Sequence, residues 1–233
     1  MKKLLSITFL LTFCVAVQAQ SPSIKALFDK IPTLPSTCQQ ATLLCSASDA
    51  GYSQSLLVQG IFKDLEVMSP WTGTNRTYAV KPVAGFESVA ASANKLDGIM
   101  IQFNKEWDEK VNAIGLEARN EVATQLGNSK PETREAAEAY AKKMNPIQIK
   151  VWDKNLPALK TIYSKYVSMA STLIGDIDKV ISAKSGQESS EMLTFKNDIR
   201  IRSVVAARTF LDKSSSLSAT LANHVLRLNN ASK

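Results

Sequence analysis

The fold is decided by residues 86–126, which read FESVAASANKLDGIMIQFNKEWDEKVNAIGLEARNEVATQL. Apolar residues recur in this stretch every three or four positions, from Val89 through Phe103 and Trp107 to Val122. That spacing keeps them on one face of an α-helix. At about 1.5 Å per residue, the helix would be roughly 60 Å long. Because a single helix cannot bury so long an apolar stripe by itself, the pattern predicts partner helices of similar length.

The rest of the chain repeats this helical pattern and contains no sustained strand alternation. Helices are predicted, in chain order, over residues 21–31, 52–68, 131–144, 146–184 and 188–229. Asn145-Pro146 is interpreted as the start of a new helix, and Pro157 is expected to kink that helix or split it. We therefore predict an all-α fold. It is an elongated bundle of about four main long helices with additional short helices, in one domain over residues 20–233.

Residues 1–19 have the features of a secretory signal peptide. Two lysines stand near the start, residues 4–17 are mostly apolar, and Ala19 ends a small-residue cleavage motif. A lipidated signal is the less favoured alternative, because the residue before Cys14 is a bulky phenylalanine. We expect cleavage near Ala19 and an exported protein, located in the periplasm or outside the cell. No later apolar run is long enough for a transmembrane anchor.

Cys38 and Cys45 are the two cysteines that remain after this cleavage. Paired thiols in an exported chain favour a disulfide. In an unbroken helix the two residues would lie about 10 Å apart, which is too far for such a bond. We predict a local Cys38–Cys45 disulfide, with the chain turning or beginning its helix between the two residues. The alternative is that the two thiols stay apart.

The chain contains one histidine, His224. That count excludes zinc sites built on histidine pairs and ferritin-like di-iron sites. His224 also lies on an apolar stripe, where a structural role is expected. No glycine-rich phosphate-binding motif or dinucleotide fingerprint occurs. We therefore predict no catalytic residues, no bound metal and no cofactor, although the paired acids of a secreted hydrolase would leave no trace in the sequence.

Charge is distributed unevenly between the predicted helices. Residues 86–126 carry seven acidic and four basic residues, whereas residues 146–184 carry six basic and three acidic residues. The favoured interpretation is that acidic and basic helices pack side by side with complementary edges. The alternative is a basic face for acidic glycans, lipid headgroups or an acidic protein. The expected partner is another envelope or extracellular protein, or an acidic surface, and nucleic acid is not expected.

Residues 69–85 form the longest internal segment without helical periodicity. The segment contains Trp71, Arg76 and Tyr78, which belong to residue types enriched at binding hot spots. We therefore treat it as the candidate binding loop. The alternative, and favoured, interpretation is that Trp71 and Tyr78 fold back and cap the end of the bundle.

These observations predict an exported, non-enzymatic helical interaction or binding protein. The first alternative is a carrier that holds an apolar ligand between its helices. The cavity of such a carrier would be lined by Met100, Phe103, Trp107, Tyr166, Met169 and Phe210. Apolar stripes of this kind are more often plain core. A secreted carboxylate-based hydrolase is the less favoured second alternative.

Overall fold

Regular structure in the described part of the chain is entirely helical. The computed structural model describes residues 23–42, 63, 79–127, 131–183 and 189–230. Two short helices, α1 and α2, precede three long ones, α3, α4 and α5. Their bounds are, in chain order, Ile24–Phe28, Cys38–Ala41, Glu87–Leu126, Arg134–Ala183 and Ser190–Asn230. The predicted all-α bundle is confirmed, with three long helices in these residues. The helix predicted over residues 52–68 lies outside them, apart from residue 63.

The helix that decides the fold, α3, begins one residue after its predicted start and ends at its predicted end. Most apolar positions of its stripe, among them Val89, Phe103 and Val122, are buried as predicted, whereas Met100 and Val111 are partly buried. Gly127 follows the last helical residue with a φ of 77°. A glycine adopts this left-handed conformation without steric cost, so it ends the helix cleanly.

α3 and α5 run parallel to each other. Arg202 of α5 pairs with Asp97 of α3, and Lys213 of α5 pairs with Asp108 of α3. Both pairs join residues that are 105 positions apart in the chain. Because this separation stays constant over about three helical turns, the two helices advance in the same direction.

α4 runs antiparallel to α3. Glu106 pairs with Lys165 at 3.5 Å, and Glu117 pairs with Lys154 at 2.9 Å, so residue numbers fall along α4 as they rise along α3. Each pair joins an acidic residue of α3 to a basic residue of α4. These contacts are the complementary edges that the uneven charge distribution favours. Because these side chains are 30–73% exposed, the ion pairs align the helices more than they stabilise them.

α4 is one continuous helix of 50 residues. The predicted helix boundary at Asn145-Pro146 is therefore wrong, and Pro157 does not split the helix. Each internal proline removes a backbone donor and costs about 3 kcal/mol. That cost is offset by large buried side chains around the second proline: Val151, Trp152, Leu156, Leu159, Tyr163 and Tyr166. Tertiary packing keeps the helix continuous although the local sequence favours a break.

A cluster of aromatic rings fills the centre of the bundle. The ring centroids of Phe103 in α3 and Phe210 in α5 lie 4.5 Å apart, and those of Trp107 and Tyr163 lie 5.9 Å apart. The Tyr163 hydroxyl donates a hydrogen bond of 3.3 Å to the Phe210 backbone carbonyl. Trp107 is only 3% exposed, as its place in the apolar stripe predicts.

The N-terminal segment, residues 23–42, packs on α4 and α5. The backbone N–H of Lys25 donates to Asp178 at 3.2 Å, and the backbone N–H of Cys38 donates to Asp153 at 2.7 Å. These bonds tie both short helices to α4. Within the described residues neither short helix contacts α3. The segment therefore covers a different side of the bundle from the one on which α3 faces α5.

Cys38 is a free, buried thiol. Thr37 caps α2 by accepting a hydrogen bond from the Gln40 N–H, and the Cys38 Sγ lies 3.9 Å from the Ile149 backbone carbonyl. Burial raises the pKa of this thiol well above its ordinary value. The predicted Cys38–Cys45 disulfide is not formed in the structure, because the Cys38 thiol faces α4. Cys45 lies outside the described residues.

Four large apolar side chains remain exposed in the described residues: Ile101, Leu116, Met169 and Leu193. Some exposed apolar side chains are normal on protein surfaces. No helix of the described ranges has an apolar stretch long enough to cross a bilayer.

Candidate functional site

The three residues of the candidate binding loop, Trp71, Arg76 and Tyr78, lie outside the described residues. The structure describes the end of that segment from residue 79 onward, where Val80 is buried. The Asn94 side chain of α3 accepts a hydrogen bond from the Val80 N–H at 2.7 Å and donates one to the Val80 carbonyl at 3.3 Å. This pair of bonds fixes the end of the segment against α3.

A hollow of about 560 Å³ lies where this segment meets α5. Apolar lining comes mainly from Val80 and Phe195. The charged lining residues are Lys81, Glu191 and Asp198, and Asp198 is already paired with Arg202. Because both signs of charge are present, the hollow does not define the charge of a ligand.

Arg202 is the charged side chain that sequence reasoning missed. Its side chain is 2% exposed, and it pairs with Asp97 of α3 and, at 3.2 Å, with Asp198 one turn earlier in α5. Burial raises the pKa of Asp97, and the Arg202 guanidinium works against that shift. The cluster holds α3 and α5 in register. Pairing of the two helices explains the cluster without a substrate-binding cavity, so we assign the cluster a structural role.

Further along the same two helices, a groove of about 310 Å³ opens between α3 and α5. We call it the α3–α5 groove. Its apolar lining includes Trp107 and Val111 from α3, Trp152 from α4 and Leu217 from α5. Trp107 and Trp152 are 3% and 6% exposed, so they form the recessed floor of the groove.

The walls of the α3–α5 groove carry polar and charged side chains. Lys213 lies in ion-pair contact with Asp108 at 2.6 Å across the groove, and both belong to its lining. Arg119 and Asn112 also line it, and neither side chain has a hydrogen-bond or ion-pair partner in the described part of the chain. Two basic residues against one acidic residue give the lining an excess of positive charge.

Gly115 keeps the groove open on the α3 side. A methyl group added at this position would find no heavy atom of the described residues within 4 Å. A glycine in a helix interior costs roughly 0.5–1 kcal/mol relative to alanine. The sequence predicted Trp107 in the core but did not predict the groove. A glycine inside a helix marks an open space only when the residues around it in the fold are known.

The residues predicted to line a carrier cavity do not enclose one together. Phe103 and Phe210 are completely buried, and ring contacts of 5.6 Å and 5.7 Å join them to Tyr166 and Tyr163 respectively. Their rings occupy the space that a ligand would need. Met100 packs at the edge of this core, whereas Met169 is 39% exposed. Of the six residues, Trp107 alone also belongs to the lining of the α3–α5 groove.

His224 lies half-buried in α5, and its Nδ1 atom has no hydrogen-bond partner among the described residues. Burial, and to a smaller extent the neighbouring Arg227, lowers the pKa of this imidazole. A catalytic triad would require a carboxylate on Nδ1. Within the described ranges, no three His, Cys, Asp or Glu side chains are grouped as ligands for a metal ion.

Comparison of the chain with protein-family models, with curated proteins and with solved structures finds no match. Function is therefore inferred from the chemistry of the described residues.

Proposed function

We propose that the protein is an exported, non-enzymatic helical binding protein and that its binding site is the α3–α5 groove. The observation that carries this proposal is the recessed floor of Trp107 and Trp152 beside Arg119, which has no ion-pair partner among the residues that the structure describes. Aromatic side chains in a concave site with a few convergent polar groups are typical of binding sites. Export is supported by the signal-peptide features of residues 1–19.

The first candidate function is binding of another envelope or extracellular protein, or of an acidic surface, attracted by the basic lining of the groove. The second candidate function is that of a carrier for a small ligand. It is favoured by the groove volume of about 310 Å³, which lies at the lower end of the range for small-molecule sites.

A carboxylate-based hydrolase is not proposed. Such an enzyme needs two carboxyl groups that flank the scissile bond. Asp108 is the one acidic residue in the described lining of the groove, and Lys213 neutralises it.

Native mass spectrometry of the full chain purified from its own host tests binding. The proposal predicts a retained non-covalent mass, the size of which separates a protein partner from a small ligand. A spectrum that contains the bare chain alone, under conditions gentle enough to preserve known complexes, would contradict the proposal.

Export is tested separately by fractionating the host and sequencing the N-terminus of the protein. We expect the mature chain in the periplasm or the medium, beginning just after Ala19. Recovery of a chain that retains Met1 in the cytoplasm would overturn this part of the proposal.

A further inference from the structure

The depth of the α3–α5 groove limits what can reach its floor. The two indoles are nearly buried, and the groove measures about 310 Å³. A flat protein surface would contact the rims and leave the floor empty. A stable protein–protein interface also needs roughly 800 Å² from each partner. A small molecule with an apolar body can enter such a recess and contact the parts of the two indoles that remain accessible.

The charged residues on the walls of the groove determine whether that molecule carries a negative or a positive charge. Arg119 is exposed and has no ion-pair partner in the described residues. Lys213 has one partner, Asp108, whose side chain is 56% exposed and can therefore turn toward solvent. An anion in the groove would meet Arg119 directly and would compete with Asp108 for Lys213. A cation would find the lone carboxylate already neutralised.

We propose that the α3–α5 groove binds a small amphipathic anion. The ligand has a small apolar body that contacts the accessible parts of Trp107 and Trp152, and one carboxylate, sulfonate or phosphate group that reaches Arg119. This inference rests on the proposed function, because it takes the same groove as the binding site. It goes further in naming the chemistry of the ligand and in assigning that ligand to a free small molecule.

Two fluorescent probes test the charge requirement. Anilinonaphthalene sulfonate carries an aromatic body with one sulfonate, and phenylnaphthylamine is the same body without the charge. We expect the full chain to bind the sulfonate probe at one site and with higher affinity than the neutral probe. The difference should shrink as salt is added, because ions screen exposed charges. Equal affinities at low salt would overturn the inference.

Single substitutions at the walls provide the second arm of the test. Arg119→Gln should weaken binding of the sulfonate probe about threefold and leave the neutral probe unchanged, as expected for an exposed charge. Asp108→Asn should strengthen binding of the sulfonate probe, because it releases Lys213 and removes the competing carboxylate. If neither substitution changes the affinity for the sulfonate probe, the probe binds elsewhere and the inference fails.

A matched pair of glycine variants locates the probe. Gly115→Leu places a side chain in the groove. Gly98→Leu places one on the same helix outside the described lining, where a Cβ also finds no heavy atom of the described residues within 4 Å. We expect Gly115→Leu to reduce the affinity for the sulfonate probe at least tenfold and Gly98→Leu to leave it unchanged. Equal effects of the two variants would overturn the inference.

This test can fail without refuting the proposed function. A protein partner that is retained by the wild-type chain and released by Gly115→Leu would support the groove as a binding site. If the two probes also bound with equal affinity, that result would show that the ligand is not a small anion.

Discussion

Arg202 of α5 reaches across the bundle to Asp97 of α3 while its own side chain is 2% exposed. Asp198 accepts a second hydrogen bond from the same guanidinium. A buried charge of this kind is expensive unless it is paired, so the three side chains form one unit. The unit fixes the parallel register that also brings Lys213 opposite Asp108 at the α3–α5 groove.

Arg202→Met should lower the free energy of unfolding by about 3 kcal/mol, because two partly buried carboxylates would lose their counter-charge. Urea denaturation followed by circular dichroism measures the loss. Adding Asp97→Asn and Asp198→Asn to the variant should recover part of it. A single variant as stable as the wild type would show that the cluster does not hold the helices together.

Gly98→Ala and Gly115→Ala should each raise the free energy of unfolding by about 0.5–1 kcal/mol. Both residues lie inside α3, and a Cβ at either position has no heavy atom within 4 Å in the described part of the chain. The same denaturation experiment checks the sign. If Gly115→Ala destabilises the protein while Gly98→Ala stabilises it, the groove is narrower than the structure indicates.

Trp107→Ala should lower the free energy of unfolding by about 3–5 kcal/mol, the range for truncating a buried large aromatic side chain. Trp107 contacts Phe103 and Tyr163 with ring centroids 5.7 Å and 5.9 Å away. Thermal unfolding of the variant provides the measurement. An unchanged midpoint would mean that Trp107 contributes to the groove and not to the core.

Lowering the pH should destabilise the protein through His224, the one histidine of the chain. Its pKa in the folded state is lowered from the ordinary value of 6.5. The unfolded state therefore binds more protons than the folded state as the pH falls through this range. The contribution to stability is present above pH 6.5 and is lost as the pH falls through the lower pKa of the folded state.

The variant His224→Leu isolates this effect. Comparing its free energy of unfolding with that of the wild type at about pH 7.5 and about pH 5.5 cancels the other titrating groups, which both proteins share. The loss between the two pH values should be smaller in the variant. The same loss in both proteins would exclude His224 as its source.

The bounds of a long helix could be predicted from the sequence where one continuous apolar stripe determines them. Residues 86–126 repeat apolar positions at the helical period, so the bounds of α3 were predicted to within one residue. The helix boundary predicted at Pro146 was wrong. A proline favours a local break, but the packing that keeps α4 continuous comes from residues distant in the sequence. Arg202 was missed for a similar reason: its burial depends on Asp97, which lies 105 positions away.

The groove could not be predicted from the sequence. Trp152 and Gly115 are far apart in the chain, and their proximity follows from the antiparallel arrangement of α3 and α4. The candidate binding loop around Trp71 remains a prediction, since its three residues lie outside the described part of the chain.

The most direct test of the binding groove compares native mass spectra of Gly115→Leu and Gly98→Leu, both produced as full chains in the protein's own host. The two variants add the same side chain to the same helix, and one of them fills the groove. We predict that Gly98→Leu keeps the non-covalent partner of the wild-type protein and that Gly115→Leu loses it. Retention of that partner by Gly115→Leu would contradict the assignment of the α3–α5 groove as the binding site.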